Sequence, residues 1–120
     1  MKKTLALILT LVMLATACFS FAACDNENNQ DKVFHVGVCQ LVAHPALDQA
    51  TQGFIDTVNA ALGEENINWD IQNAAGDSNT CNTIVNSFVS SGVDLIMANA
   101  TAALAAAYNA TDTIPILGTS

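Results

Sequence analysis

Six uncharged polar residues stand where short apolar runs end: Gln40, Asn73, Asn99, Thr101, Thr119 and Ser120. Amides and hydroxyls of this kind break no bonds by themselves. They can hold a small polar ligand, a carboxylate above all, when helix N-termini lie beside them. None forms a nucleophile–base pair with His35 or His44, and neither a serine nor a cysteine is embedded in a G-x-S-x-G turn, so catalysis is not expected. The first apolar run is followed by Gln40-Leu41-Val42-Ala43-His44-Pro45 rather than G-x-G-x-x-G, and G-x-x-x-x-G-K-[ST] occurs nowhere. Without the glycines that let a backbone approach pyrophosphate, a nucleotide cofactor is not expected. His35, Cys39, His44 and Cys81 lack the close spacing of structural zinc sites, so no metal is expected either. A plainer role stays open for Thr101 and Asn73, which could instead cap a helix or satisfy loop backbone.

Positioning such residues takes alternating strands and helices. Residues 33–42 (VFHVGVCQLV) are apolar and rich in β-branched side chains, as in a strand covered on both faces. Pro45 fits a first helical turn. Leu47, Ala50, Phe54, Ile55, Val58 and Leu62 then recur at helical spacing as far as Gly63. Ile67, Trp69 and Ile71 alternate with polar residues, which suits an edge strand. Ser78 or Asn79 can cap a second helix that buries Ile84, Val85, Phe88 and Val89 and stops at Gly92. Residues 94–98 (DLIMA) read as a short central strand. Thr101 can cap an alanine-rich helix carrying Leu104 and Tyr108, broken at Asp112 and Pro115, before a fourth strand over 114–118. This alternation predicts an α/β fold, a parallel sheet with helices on both faces joined by right-handed crossovers. The ligand edge of such a sheet is the one at the strand C-termini, where the six polar residues collect.

The N-terminus has a different purpose. Lys2 and Lys3 precede a long uncharged stretch, and residues 1–23 read as an export signal. Phe21-Ala22-Ala23-Cys24 resembles a lipobox, in which the cysteine is lipidated and becomes the new N-terminus; Ala15-Thr16-Ala17-Cys18 is a competing match. Residues 24–32 are polar after Cys24 and read as a tether. An ordinary secretory signal or an uncleaved membrane anchor is the alternative. Each of these readings puts the domain outside the cytoplasm. The remaining cysteines, Cys39 and Cys81, make no disulfide framework and are expected to stay reduced. The chain has 120 residues, 52% of them hydrophobic, and a net charge of −8. That is one small domain, not a disordered segment. With only three cations it is no nucleic-acid binder, and attachment to an anionic membrane must be covalent or through inserted apolar chain.

Val36-Gly37-Val38-Cys39-Gln40-Leu41-Val42 and His44-Pro45-Ala46-Leu47-Asp48 resemble the first strand and helix start of ABC-transporter substrate-binding lipoproteins of the tryptophan/tyrosine-uptake type. Gly53-Phe54, Gln72-Asn73-Ala74, Gly76-Asp77, Asp94-Leu95-Ile96, Ala100-Thr101 and Ile114-Pro115-Ile116 follow in the same order. The resemblance implies a type I periplasmic-binding-protein fold of two lobes, with residues 33–120 the first part of the N-terminal lobe, apparently truncated. It implies an extracytoplasmic solute-binding component that closes on an α-amino acid, often aromatic, and delivers it to an ABC permease from a lipid anchor in the cell membrane. By position, Gln40, Asn73, Thr101, Thr119 and Ser120 would be first-lobe ligand contacts. Ala102 stands where the family often has proline, and Asn99 where it usually has a small or aliphatic residue. The same fold could serve as the ectodomain of a membrane-anchored sensor, which would need the N-terminus to stay uncleaved. An exported flavodoxin-like enzyme would need a cofactor turn or a catalytic pair.

Overall fold

The computed structural model describes residues 32–119. The expected export signal, Cys18, Cys24, nearly all of the expected tether and Ser120 lie outside the described residues. Strand β1 (Phe34–Gln40) leads to helix α1 (Pro45–Leu62), a short 3-10 turn (Glu64–Asn66) and strand β2 (Ile67–Asn73). Helix α2 (Ser78–Ser91), strand β3 (Leu95–Asn99), helix α3 (Thr101–Ala110) and strand β4 (Ile116–Thr119) complete the order. All three pairings are parallel, and the strands lie in the order β2-β1-β3-β4. The chain steps one way from β1 to β2 and the other way thereafter. Right-handed crossovers then place α1 on one face of the sheet and α2 and α3 on the other.

Register separates the two faces. Gly37 and Cys39 of β1, with Ile96 and Ala98 of β3, face the α2–α3 layer, where Cys81, Ile84, Val85, Phe88, Ala103, Ala106 and Ala107 close a dry core. Phe88 is fully buried against Gly37, where an added Cβ would stand 2.6 Å from the Phe88 ring. The strand can carry no side chain at that position because the ring lies on its backbone. Val36, Val38 and Met97 face α1 and are buried beneath it; within α1 Thr51 is the buried residue, and Leu47, Ala50, Phe54, Ile55 and Val58 are half-buried. Phe54 packs edge-on to Trp69 of β2 at 5.7 Å between ring centroids, and the Trp69 indole N–H donates to Asn59 Oδ1 at 3.0 Å. That contact seats the middle of α1 on the edge strand.

Two helix starts differ from the sequence expectation. Helix α2 is capped by Asp77 rather than Ser78 or Asn79, its carboxylate accepting the Asn79 N–H at 3.0 Å and the Thr80 hydroxyl at 2.8 Å. Hydroxyls, amides and carboxylates all cap, so residue type alone does not choose among three adjacent candidates. The cap of α3 is Ala100, and Thr101 is the first helical residue. In α3 the buried face is Ala103, Ala106 and Ala107, while Leu104 and Tyr108 are exposed at 37% and 78%. Small side chains let α3 approach α2 closely; Tyr108 turns outward, while the Leu104 side chain lies against β4, 2.8 Å from where a Cβ on Gly118 would stand. The fourth strand begins two residues later than expected, at Ile116.

Candidate functional site

Gln40, Asn73, Asn99 and Thr119 end the four strands, and registers Gln40↔Asn73, Gln40↔Asn99 and Asn99↔Thr119 set them side by side along one edge. Thr101 opens α3 just beyond it. Their side chains divide into two groups. Gln40 and Asn99 are buried and turn inward to α1. Asn99 Nδ2 donates to the Leu47 carbonyl at 2.8 Å and to Thr51 Oγ1 at 2.9 Å, while Asn99 Oδ1 accepts the Thr119 hydroxyl at 2.9 Å. Thr51 passes its own hydroxyl hydrogen to Gln40 Oε1 at 2.7 Å. Gln40 Nε2 donates to the Val42 carbonyl at 2.9 Å and to Asp48 Oδ1 at 2.6 Å. Among the described residues every buried side-chain nitrogen and oxygen has a partner, which is the condition under which a buried network rigidifies a fold.

Asn73 and Thr101 are exposed. Asn73 Oδ1 accepts the Ala75 N–H at 2.8 Å, folding the β2–α2 loop back on itself, so its amide nitrogen points away from that turn. Thr101 makes no side-chain hydrogen bond among the described residues.

Three helices begin at this edge and their first turns are unequal. At α1, His44 Nδ1 accepts the Ala46 N–H at 3.2 Å. At α2 the Asp77 carboxylate does the same work and adds a negative charge. Its hydrogen bonds from Thr80 and Asn79 hold that carboxyl below the usual carboxylate range. At α3 no side chain caps the helix. Ala100 adopts φ 88° and ψ 157°, its N–H bonds the Thr119 carbonyl at 2.9 Å, and its carbonyl accepts the Leu104 N–H at 3.0 Å. The N–H groups of the first turn of α3 are therefore left for a ligand or water. Among the described residues, α3 is the helix whose N-terminus can take an anion.

The sequence reading missed Thr51, the hydroxyl that joins Gln40 to Asn99; one polar residue amid a helix gives no sign that it faces inward. A cavity of about 160 Å³ lies at the opposite edge, lined by His35, Val36, Asn68, Asp70, Ser91 and Val93. It gathers none of the sequence-predicted residues. Nearby, the His35 N–H bonds Asp94 Oδ2 at 2.9 Å and Lys32 lies 3.6 Å from Asp94, and both hold that carboxyl below its ordinary range, the His35 N–H more strongly. Cys39 and Cys81 are free and buried. Burial, then the adjoining Cys81, pushes the Cys39 thiol up to about 12, so it is an uncharged part of the core. No cluster of three or more metal-ligating side chains occurs among the described residues.

A chain of the curated set, the tyrosine-binding protein of Clostridioides difficile, is 40% identical to this one, over 99% of this chain and 37% of its own. A substrate-binding protein with adhesive properties from Clostridium difficile, solved ligand-free and open, superposes with a TM-score of 0.69 at 43% identity, over 72% of this chain and 30% of its own. An ABC domain from Streptococcus pneumonia in complex with L-Trp superposes with a TM-score of 0.67 at 30% identity, again over 72% and 30%. The chain thus spans about a third of the length of the relatives it matches. The family model described as ABC transporter substrate binding protein matches residues 35–120, and this chain belongs to that family.

Proposed function

We propose that this chain supplies the first-lobe ligand edge of an extracytoplasmic solute-binding component of an ABC importer. It takes a zwitterionic amino acid, aromatic by preference, between two lobes and passes it to a permease. The observation that carries this reading is the open N-terminus of α3 beside Thr101, at the strand edge where the other two helix starts are closed by their own side chains. An α-carboxylate fits there without arginine, which the sequence does not contain. The aromatic preference is supported by the tyrosine-binding relative and by the L-Trp held in the streptococcal structure. Thr101 and Asn73 are assigned to direct ligand contact. Gln40, engaged by Thr51, Val42 and Asp48, is assigned to holding the edge in place. Lipid attachment belongs to the same proposal: cleavage before Cys24 and acylation there, with palmitate among the possible chains, would tether the domain to the cell membrane. Mass spectrometry of membrane-fraction protein should find an acylated N-terminus at Cys24, and an intact Met1 terminus would refute it.

Calorimetry on the full-length polypeptide, titrating tryptophan, tyrosine, phenylalanine and leucine, tests the ligand class. Loss of a hydrogen bond to a charged carboxylate costs roughly 1.5–3 kcal/mol, so Thr101→Ala should weaken binding roughly ten- to a hundredfold. A parent protein that binds none of the four amino acids refutes the reading.

A further inference from the structure

The buried network at the ligand edge has a direction, and the direction bears on what the edge can recognise. The Leu47 carbonyl can only accept, so the Asn99 atom facing it is the amide nitrogen, and Asn99 Oδ1 must face Thr119. That oxygen can only accept, so the hydrogen of the Thr119 hydroxyl points into the protein. At the far end, the Val42 carbonyl and the Asp48 carboxylate fix the Gln40 amide in the same way, and Thr51 must donate to Gln40 Oε1. Neither amide can flip without setting acceptor against acceptor. Thr119, half-exposed at the end of β4, therefore offers a ligand only lone pairs. Its carbonyl holds the Ala100 N–H at 2.9 Å, which places the residue directly beside the open first turn of α3.

We propose that Thr119 Oγ1 is the acceptor for the ligand's α-ammonium, with Asn99 as the positioning residue that keeps that hydroxyl an acceptor. The inference rests on the amino-acid reading above and deepens it. In an α-amino acid one carbon separates ammonium from carboxylate. A carboxylate on the first turn of α3 therefore carries its ammonium to the neighbouring strand end. Donor-only and acceptor-only groups then stand side by side on this lobe, matching the two ends of the zwitterion.

The test compares L-tyrosine with 3-(4-hydroxyphenyl)propionate, which keeps the ring and carboxylate and lacks the amine, by calorimetry on the full-length polypeptide. Thr119→Val preserves shape and β-branching and removes the acceptor. It should weaken tyrosine roughly ten- to a hundredfold, the range for a hydrogen bond to a charged group, and leave the des-amino compound unchanged. Thr119→Ser should bind both like the parent, and thermal melts of both variants report whether they fold. Thr119→Val that weakens both compounds equally, or neither, overturns the assignment while leaving the amino-acid reading intact. A parent that binds no amino acid overturns that reading and this assignment with it.

Discussion

At the scale of single residues, the least ordinary conformation belongs to Ala100, with φ 88° and ψ 157° between β3 and α3. Glycine enters that region freely, whereas a Cβ makes it cost of order 1–3 kcal/mol. The surrounding bonds to Thr119 and Leu104 hold it there. Ala100→Gly should relieve the strain and raise the denaturant midpoint, with a gain of about 1 kcal/mol after the added backbone entropy of glycine. An unchanged or lowered midpoint would show that Ala100 is not strained. Nothing in the sequence marks this residue, because alanine is ordinary in nearly every conformation except this one. Gln40, Asn73, Asn99 and Thr119 were legible for the opposite reason: a polar residue closing an apolar run is conspicuous. Their division into inward and outward groups was not legible. The pairing of Asn99 with Thr51 spans 48 residues of sequence, and no local pattern encodes which amide meets which hydroxyl.

At the scale of elements, β1 and α2 meet with no space to spare. Gly37→Ala would set a methyl 2.6 Å from the Phe88 ring, and overpacking of a well-filled core typically costs 1–3 kcal/mol. The variant should melt roughly 4–8 °C lower per kcal/mol lost, as for domains of 60–100 residues, and Phe88→Leu in the same chain should recover part of the loss. The start of α2 predicts an acid response. Asp77 has a lowered pKa in the folded chain, so its capping contributes fully above the ordinary carboxylate value and is lost as pH falls through the lower folded value. Asn also caps helices and does not titrate. Between about pH 5 and pH 3 the melting temperature of Asp77→Asn should therefore fall less steeply than that of the parent. Equal slopes would remove Asp77 from the acid response. Strand and helix order was legible because period-two and helical spacing differ sharply over whole segments. The first helical residue was less so: Asp77 rather than Ser78 or Asn79 caps α2, and Ala100 rather than Thr101 caps α3. Which side of α3 is buried follows from the close packing of Ala103, Ala106 and Ala107.

At the scale of the whole molecule, the two faces of the sheet are held by different forces. The α2–α3 side buries a continuous apolar cluster, whereas α1 is attached by Thr51, the amides of Gln40 and Asn99, and the Phe54–Trp69 contact. The parallel order β2-β1-β3-β4 and the placement of helices on both faces follow from the alternation of elements and the handedness of crossovers. This unequal division followed from neither. A helix whose apolar stripe is only half-buried has less to hold it down than α2, with its four buried residues, once its polar attachments let go. In hydrogen–deuterium exchange, the amides of α1 should become labelled through local opening, well before those of β1, β3 and α2, which should exchange only when the whole domain unfolds. Matching rates across all four would mean that the domain opens as one unit. Because Leu47 and Thr51 of α1 hold Asn99, each such opening also frees the amide that orients Thr119. The time this helix spends detached sets the fraction of molecules whose proposed ligand edge is assembled at any moment.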